Sequence, residues 1–422
     1  MVTLFHFGTT DMSFQIEQQK VARRITLVAA LGYFVDIFDI VLFNIVKTDS
    51  LHDLRVLPEQ MLGYEVSLLN WQLGGMLVGG LIWGILGDKK GRLSVLFGSI
   101  LMYSIANLVN AFITDVAWYA PLRFLAGVGL AGELGAGVTL VAETMDREKR
   151  GIGTMIITAV GVMGAVCAAL IGKMLHWQTA YLLGGTMGLA LLFLRAGTLE
   201  SEMFERLLYN PDIKKGSLWL ILRDFKRFLR YVWVVLIGLP VWFLGGIVVP
   251  QAHRFGEALG AAGPITVNDA VIMFYLGIAV GDLISGGLSQ YFKSRKKVLL
   301  GFHFLSFPLY ALLFATSGLS PFVFYIILFL LGITCGFWAV FISMAAEQFG
   351  TNIRSTVTNT VPNFVRGLTV PMTGIFLWLV PVLNGNLVQA AVFVGYGVLI
   401  LALIATFQVE ETFSKDLNYV EK

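Results

Sequence analysis

The chain reads as an all-α polytopic membrane protein: twelve transmembrane helices in two pseudo-symmetric six-helix bundles, with both termini cytoplasmic. Three observations lead there. Of 422 residues, 57% are hydrophobic and 14% charged, with a mean hydropathy of +0.77, more apolar surface than a soluble fold of this length can hide. Several apolar runs exceed the ~20 residues a helix needs to cross the hydrocarbon core. Charged residues recur at matching places in the two halves.

Taken in order, residues 1–24 are polar or mixed and end in Lys20, Arg23 and Arg24, with no cleavable signal peptide, so the first span is expected to act as an uncleaved anchor. The spans are expected at 25–46, 64–87, 93–113, 116–142, 151–175, 178–198, 231–250, 268–291, 297–316, 321–346, 355–382 and 386–408. The segment 199–230, rich in charge and carrying Asn210-Pro211, divides them six and six. Within it, 217–230 looks amphipathic, with Leu, Trp and Phe on one side and Arg223, Lys226, Arg227 and Arg230 on the other, as in a helix on the cytoplasmic surface. The expected organisation is an N-terminal segment (1–24), a first bundle (25–198), a central loop (199–230), a second bundle (231–408) and a tail (409–422). Basic residues set the orientation. Lys89, Lys90, Arg92, Arg147, Lys149, Arg150, Lys293, Arg295, Lys296 and Lys297 all fall on the side of the termini, and the other side has little beyond Lys47, Arg55, Lys173 and Arg254.

The halves repeat. Glu143 and Arg150 lie seven apart after span 4, and Glu347 and Arg354 lie seven apart after span 10, an offset of 204 for each. The loop after span 2, Gly84-Ile-Leu-Gly-Asp88-Lys-Lys-Gly-Arg92, is echoed after span 8, where Gly286 answers Gly84, Leu288 answers Leu86 and Gln290 stands in place of Asp88. Duplicated six-helix halves imply a rocking transporter with its site between them.

The spacing of the 84–92 loop resembles that of the major facilitator superfamily. So do Arg123-Phe-Leu-Ala-Gly127-Val-Gly129, Glu143 to Arg150-Gly151, Leu199-Glu200-Ser201, Glu347-Gln-Phe-Gly-Thr-Asn-Ile-Arg354 and the tail Glu410-Glu411-Thr412-Phe-Ser-Lys415-Asp416-Leu417. The sugar-porter and metabolite–proton-symporter branches look most similar. There are departures. Span 7 lacks the glutamine pair and following asparagine of sugar porters and offers only Gln251 near its end, which directs the expectation away from sugars. Span 5 has no proline, so the Gly-Pro signature of drug antiporters is missing.

Ionisable groups at membrane depth are costly and mark function. Span 1 carries Asp36 and Asp39, and span 4 carries Arg123 and Glu133. The resemblance aligns Asp39 with a proton-linked aspartate and Arg123 with its arginine partner; Glu133 and Asp36 are further proton candidates, and a purely structural ion pair is the competing reading. In span 11, Arg366 with Asn363 one turn before it suits a carboxylate or phosphate, or a tie to the carboxylates near Glu347. Trp338, following Gly332 and Gly336, matches an aromatic that faces substrate in sugar porters. Asp282 is expected to be structural before it is a partner of Arg366 or part of the gate. Asp88, Arg92, Glu143, Arg147, Arg150, Glu347 and Arg354 are expected to form a cytoplasmic gate, with Asp88 either capping a helix start or holding a basic partner.

Cys167 and Cys335 lie in apolar spans and read as packing residues, not as a disulfide or metal site. No residue pattern points to a metal, a cofactor or an enzyme's nucleophile–base pair, and the small net charge argues against nucleic acid. The expected function is secondary active transport by alternating access, as proton-coupled symport of a small organic acid or related metabolite, by a monomer in the bilayer of a bacterial inner membrane. The alternatives are a sugar or polyol porter, a proton-independent facilitator, and a membrane sensor without turnover.

Overall fold

The structure is a computed structural model that describes residues 6–146, 148–195, 205 and 215–421, and all their side chains but those of residues 6–21 and 62. Arg147 and, of the expected central loop, residues 199–204 and 206–214 lie outside the described residues. Among the described residues there is no strand, and eleven helices are long and apolar enough to cross a membrane; a bent pair supplies the twelfth span. Span 1 lies within His6–Asp53, span 2 is Pro58–Lys90, span 3 is Arg92–Asn110, span 5 is Arg150–Met174 and span 6 is Trp177–Arg195. Spans 8, 9 and 12 are Val267–Tyr291, Arg295–Ala315 and Leu387–Gln408.

The remaining spans are interrupted, and the interruptions shape the interface between the bundles. Span 4 is Tyr119–Leu130 followed by Glu133–Thr144, broken at Ala131-Gly132. Span 10 repeats this as Pro321–Cys335 and Trp338–Gln348, broken at Gly336-Phe337. Span 11 is Arg354–Gly367 and Thr369–Val382. Span 7 runs from Phe225–Ile237 into Leu239–Ala258 with a bend of 42°. Pro240 there has no backbone N–H to continue the ladder, and Leu244–Val248 is wound as a π-helix. The expected surface helix over 217–230 is instead two pieces. Leu218–Arg223 ends where the Asp224 carboxylate accepts from the N–H groups of Lys226 (2.8 Å) and Arg227 (3.1 Å), which starts span 7 early.

Within each bundle, glycines let backbones touch. A side chain at Gly75 or Gly79 of span 2 would run into the main chain of Phe124 or Val128 in span 4, and one at Gly127 would meet Gln72. Spans 8 and 10 repeat the device, with Gly277 and Gly281 on Phe329 and Ile333, Gly332 on Phe274, and Gly336 on Gly281. Between the bundles, span 2 packs on span 11, span 5 on span 8, and the second piece of span 4 on span 11. Span 1 has no comparably close packing on span 7. The start of span 1 lies beside Asp146 and Lys149, and the tail after span 12 packs on Ser294 and Arg354, so both described ends of the chain share the end of the molecule that carries the charged loops.

Candidate functional site

The charged end is where the bundles are tied together. Asp88 ends span 2, and its carboxylate caps span 11 of the opposite bundle. Oδ1 accepts from Ser355 N (3.0 Å), and Oδ2 accepts from Thr356 N (2.8 Å) and Thr356 Oγ1 (2.7 Å). Arg92 Nη2 also stands 3.6 Å from Asp88 Oδ1, so Asp88 both caps a helix start and holds a basic partner.

The duplicated glutamates and arginines trade partners between bundles. Glu143 accepts from Arg354 Nη1 (2.9 Å) across the interface and from Arg92 Nη2 (2.8 Å) within its own bundle. Glu347 lies 3.4 Å from Arg150 Nε across the interface and 3.2 Å from Arg295 Nη2 within its own. The same residue pair, used twice, thus makes two crossed ties. The third element of the repeat does not complete the symmetry. Gln290, in the place of Asp88, lies against Gly151 at the start of span 5, and its Nε2 has no hydrogen-bond partner among the described residues.

The tail closes over these ties. Glu411 accepts from the Ser294 hydroxyl and from the N–H groups of Arg295 (2.9 Å) and Lys296 (3.2 Å) at the start of span 9. Burial alone would raise the Glu411 pKa, but these bonds outweigh it and hold the carboxyl below its ordinary value. Thr412 Oγ1 donates to Glu347 (2.8 Å), Arg150 donates to Lys415 O (2.5 Å), and Arg354 donates to Leu417 O (2.7 Å).

At mid-depth the two bundles meet through one ion pair. Arg366 Nη2 of span 11 is 3.6 Å from Asp36 Oδ2 of span 1, and both side chains are buried. The pairing is loose. Neither Asp36 oxygen accepts a hydrogen bond, and Arg366 Nε and Nη2 donate none among the described residues. Arg366 Nη1 reaches Asn363 Oδ1 at 3.4 Å, and its guanidinium lies 5.7 Å from the Trp242 ring. Asn363 in turn donates to Ala131 O (2.9 Å) at the break in span 4, another link between bundles. Aromatic walls adjoin the pair. A cavity of about 20 Å³ is lined by Tyr33, Trp242, Phe274, Tyr275 and Trp338, and one of about 30 Å³ by Asn44, Gln72, Trp242 and Tyr275. Each has room for about a water molecule, so the centre is nearly closed in this conformation.

Two further buried networks belong to the first bundle alone. Asp39 Oδ1 accepts from Asn107 Nδ2 (2.5 Å), and Asn107 Oδ1 accepts from Arg123 Nη2 (2.6 Å), so an amide bridges the expected Asp39–Arg123 pair. Arg123 also sits over the Tyr181 ring at 4.7 Å. Glu133 is held by Arg195, with Nη2 at 2.5 Å and Nη1 at 3.1 Å, and by Ser99 Oγ at 2.8 Å. A side chain at Gly32 would strike both Arg195 and Glu133, so that glycine makes room for the pair.

The expected residues thus sort by place. Asp36, Arg366, Asn363 and Trp338 converge on the interface; Asp39, Arg123 and Glu133 lie within the first bundle. Gln251 is the last residue of a short turn in span 7 and does not line either central cavity, whose span 7 contributions are Val241, Trp242, Gly245, Gly246 and Pro250. Asp282 does not meet Arg366, which is taken by Asp36; it accepts from Ala339 N (2.9 Å) instead. Sequence reasoning missed Asn107, Arg195, Tyr33 and Tyr275. An arginine three residues from an expected span end passes for an interfacial anchor, and nothing in the chain order marks its inward course.

Two helical bundles joined by a buried ion pair at mid-depth and zipped together at one end define a multi-pass membrane transporter. The family model of the Major Facilitator Superfamily matches residues 29–368, and the chain belongs to that superfamily, whose members are transporters and not enzymes. The putative niacin/nicotinamide transporter NiaP of Bacillus subtilis (strain 168) is 27% identical over 369 residues, covering 83% of this chain and 87% of that one. The 3-(3-hydroxy-phenyl)propionate transporter of Escherichia coli (strain K12) is 29% identical over 229 residues, 51% of this chain and 53% of its own. Among solved structures, the proton:xylose symporter XylE superposes with a TM-score of 0.76 at 16% identity, covering 95% of this chain and 98% of that one, a likeness of fold.

Proposed function

We propose that this protein is a proton-coupled symporter of small aromatic carboxylates, working by alternating access in a bacterial inner membrane with its charged end in the cytoplasm. The observation that carries the reading is the Asp36–Arg366 pair, 3.6 Å long, spanning the two bundles and short of hydrogen bonds on both sides. A guanidinium with unused donors in a buried interface is a receptor for a carboxylate. An incoming carboxylate takes Asp36's place on Arg366. Asp36, left buried without a counter-ion, then takes a proton, because an unpaired buried charge is the costliest state open to it. Substrate and proton thereby act on one two-state equilibrium, and the net charge of the interface is unchanged. The Tyr33, Trp242, Tyr275 and Trp338 rings favour a flat substrate. The names of the niacin and hydroxyphenylpropionate relatives agree with such a cargo. The Asp39–Asn107–Arg123 chain is a second candidate for the proton, and Glu133, clamped by Arg195, serves to hold the first bundle together.

The test is uptake of labelled niacin and 3-(3-hydroxyphenyl)propionate into proteoliposomes under an imposed proton gradient, with xylose as the competing substrate. Wild type accumulates an aromatic acid; Arg366→Ala lowers uptake about a hundredfold, the cost of about 3 kcal/mol for losing a charge-assisted bidentate contact. Accumulation of xylose instead, equilibration that ignores the gradient, or binding with no flux would each contradict the proposal.

A further inference from the structure

The two bundles treat the breaks in their matching spans differently, and the difference comes down to one residue. In the first bundle, the break in span 4 is bonded from outside, by Asn363 of the opposite bundle on Ala131 O. The neighbouring position on span 2 is Gly80, which has no side chain and instead leaves room for Asn359 and Asn363. In the second bundle the position matching Gly80 is Asp282, fully buried in span 8. Its Oδ1 accepts from Ala339 N at 2.9 Å, in the first turn of the Trp338–Gln348 piece of span 10, with the Trp338 N–H and the Thr158 hydroxyl of span 5 also close. A side-chain oxygen accepting from a free amide of a helix start caps that helix and fixes where it begins.

The surroundings make this hold the main one at the break. Spans 8 and 10 touch main chain to main chain at Gly281 and Gly336, so Asp282 lies directly against the interruption. On another side, Phe337 is met edge-on by the buried His303 ring of span 9, centroids 4.7 Å apart, a contact without a hydrogen bond. The piece so held carries Trp338 at its start, lining the central cavity, and Glu347 near its end, in the crossed ties.

We propose that Asp282 is a positioning residue for transport: by holding the start of the second piece of span 10 it sets Trp338 against the substrate. This rests on the aromatic-carboxylate reading above. It does not require Asp282 to carry a proton or to touch the cargo.

Three single variants and one double variant test it. Asp282→Ala raises the KM for the transported acid about tenfold with a smaller change in maximal rate, whereas Asp282→Asn, which keeps a carbonyl acceptor, stays within about threefold of wild type. Trp338→Ala raises KM similarly, and adding Asp282→Ala to it raises KM no further, since both changes remove one interaction. Multiplying effects, or an Asp282→Asn as impaired as Asp282→Ala, would overturn the proposal, the second by assigning the role to the charge. Hydrogen–deuterium exchange of residues 337–342 needs no substrate. Protection there falls in Asp282→Ala and persists in Asp282→Asn; equal protection in both would also overturn it. That arm stands even if no aromatic acid is carried. Should Asp282→Ala not fold, Asp282→Ser supplies a shorter side chain for both readouts.

Discussion

Asp88 and Glu133 are both buried carboxylates in the first bundle, and their surroundings give them different work. Asp88 accepts three hydrogen bonds from the main chain and hydroxyl of the opposite bundle, and these must break when the charged end opens, while Arg92 of its own bundle stays beside it. Asp88→Asn replaces one acceptor oxygen by a donor facing donors, which costs about 1–3 kcal/mol in the closed state alone. The expected outcome is impaired transport at normal expression, with a cysteine near the charged end labelling faster; unchanged labelling and uptake would remove Asp88 from the gate. Glu133 instead bonds only within its bundle, to Arg195 and Ser99. Arg195→Met leaves a buried carboxylate unpaired and is expected to lower thermal stability by about 3–5 kcal/mol. The double change Glu133→Gln with Arg195→Met is expected to recover most of that and to keep gradient-driven uptake. Loss of coupling in the stable double variant would return Glu133 to the proton path.

Among the elements, the tail from Glu410 onward has no apolar periodicity and yet is bonded throughout. Its main chain serves Arg150 and Arg354, one from each bundle, and its Glu411 caps span 9. Removing the residues after Ser414 takes away a main-chain acceptor from each arginine, leaving their glutamates, and is expected to speed labelling at the charged end while leaving the fold intact; an unchanged rate would make the tail a bystander. Glu411 allows a pH test. Its pKa is lowered on folding, so its stabilising contribution is complete above the ordinary carboxylate range and is lost as pH falls through the folded value. Glu411→Gln is therefore expected to lower the melting temperature near neutral pH, with the gap to wild type closing in acid. A gap independent of pH would assign the loss to shape alone. The same scale explains why span 7 was misjudged. Residues 217–230 have a good amphipathic pattern, but Asp224 caps a new helix within it, and periodicity does not register a one-residue break.

The whole molecule is held at one end by crossed copies of a single pair and at its centre by Asp36 and Arg366. The fold was legible because membrane-length apolar runs and an offset of 204 residues are properties of the chain in order. The crossed partners were only half legible: the repeat gives Glu143, Arg150, Glu347 and Arg354 as a set, but which glutamate faces which arginine depends on how the bundles meet. Asn107 and Arg195 were hidden for a different reason. A neutral amide in a span, and an arginine near a span's edge, look the same in sequence whether they face lipid headgroups or a buried carboxylate. Asp36 and Arg366 stood out as charges at membrane depth, and 330 residues of separation concealed that they are partners.

The central claim is that substrate and proton exchange places at that pair. The most direct measurement compares wild type with Asp36→Asn in proteoliposomes, for gradient-driven accumulation and for exchange of labelled against unlabelled aromatic acid with no gradient. Asp36→Asn cannot take up and release a proton, yet leaves Arg366 free to hold the carboxylate. The expected result is that it loses accumulation and keeps exchange at a rate comparable to wild type. Accumulation that survives Asp36→Asn, with the proton stoichiometry of wild type, would contradict the account and move coupling to Asp39 and Arg123.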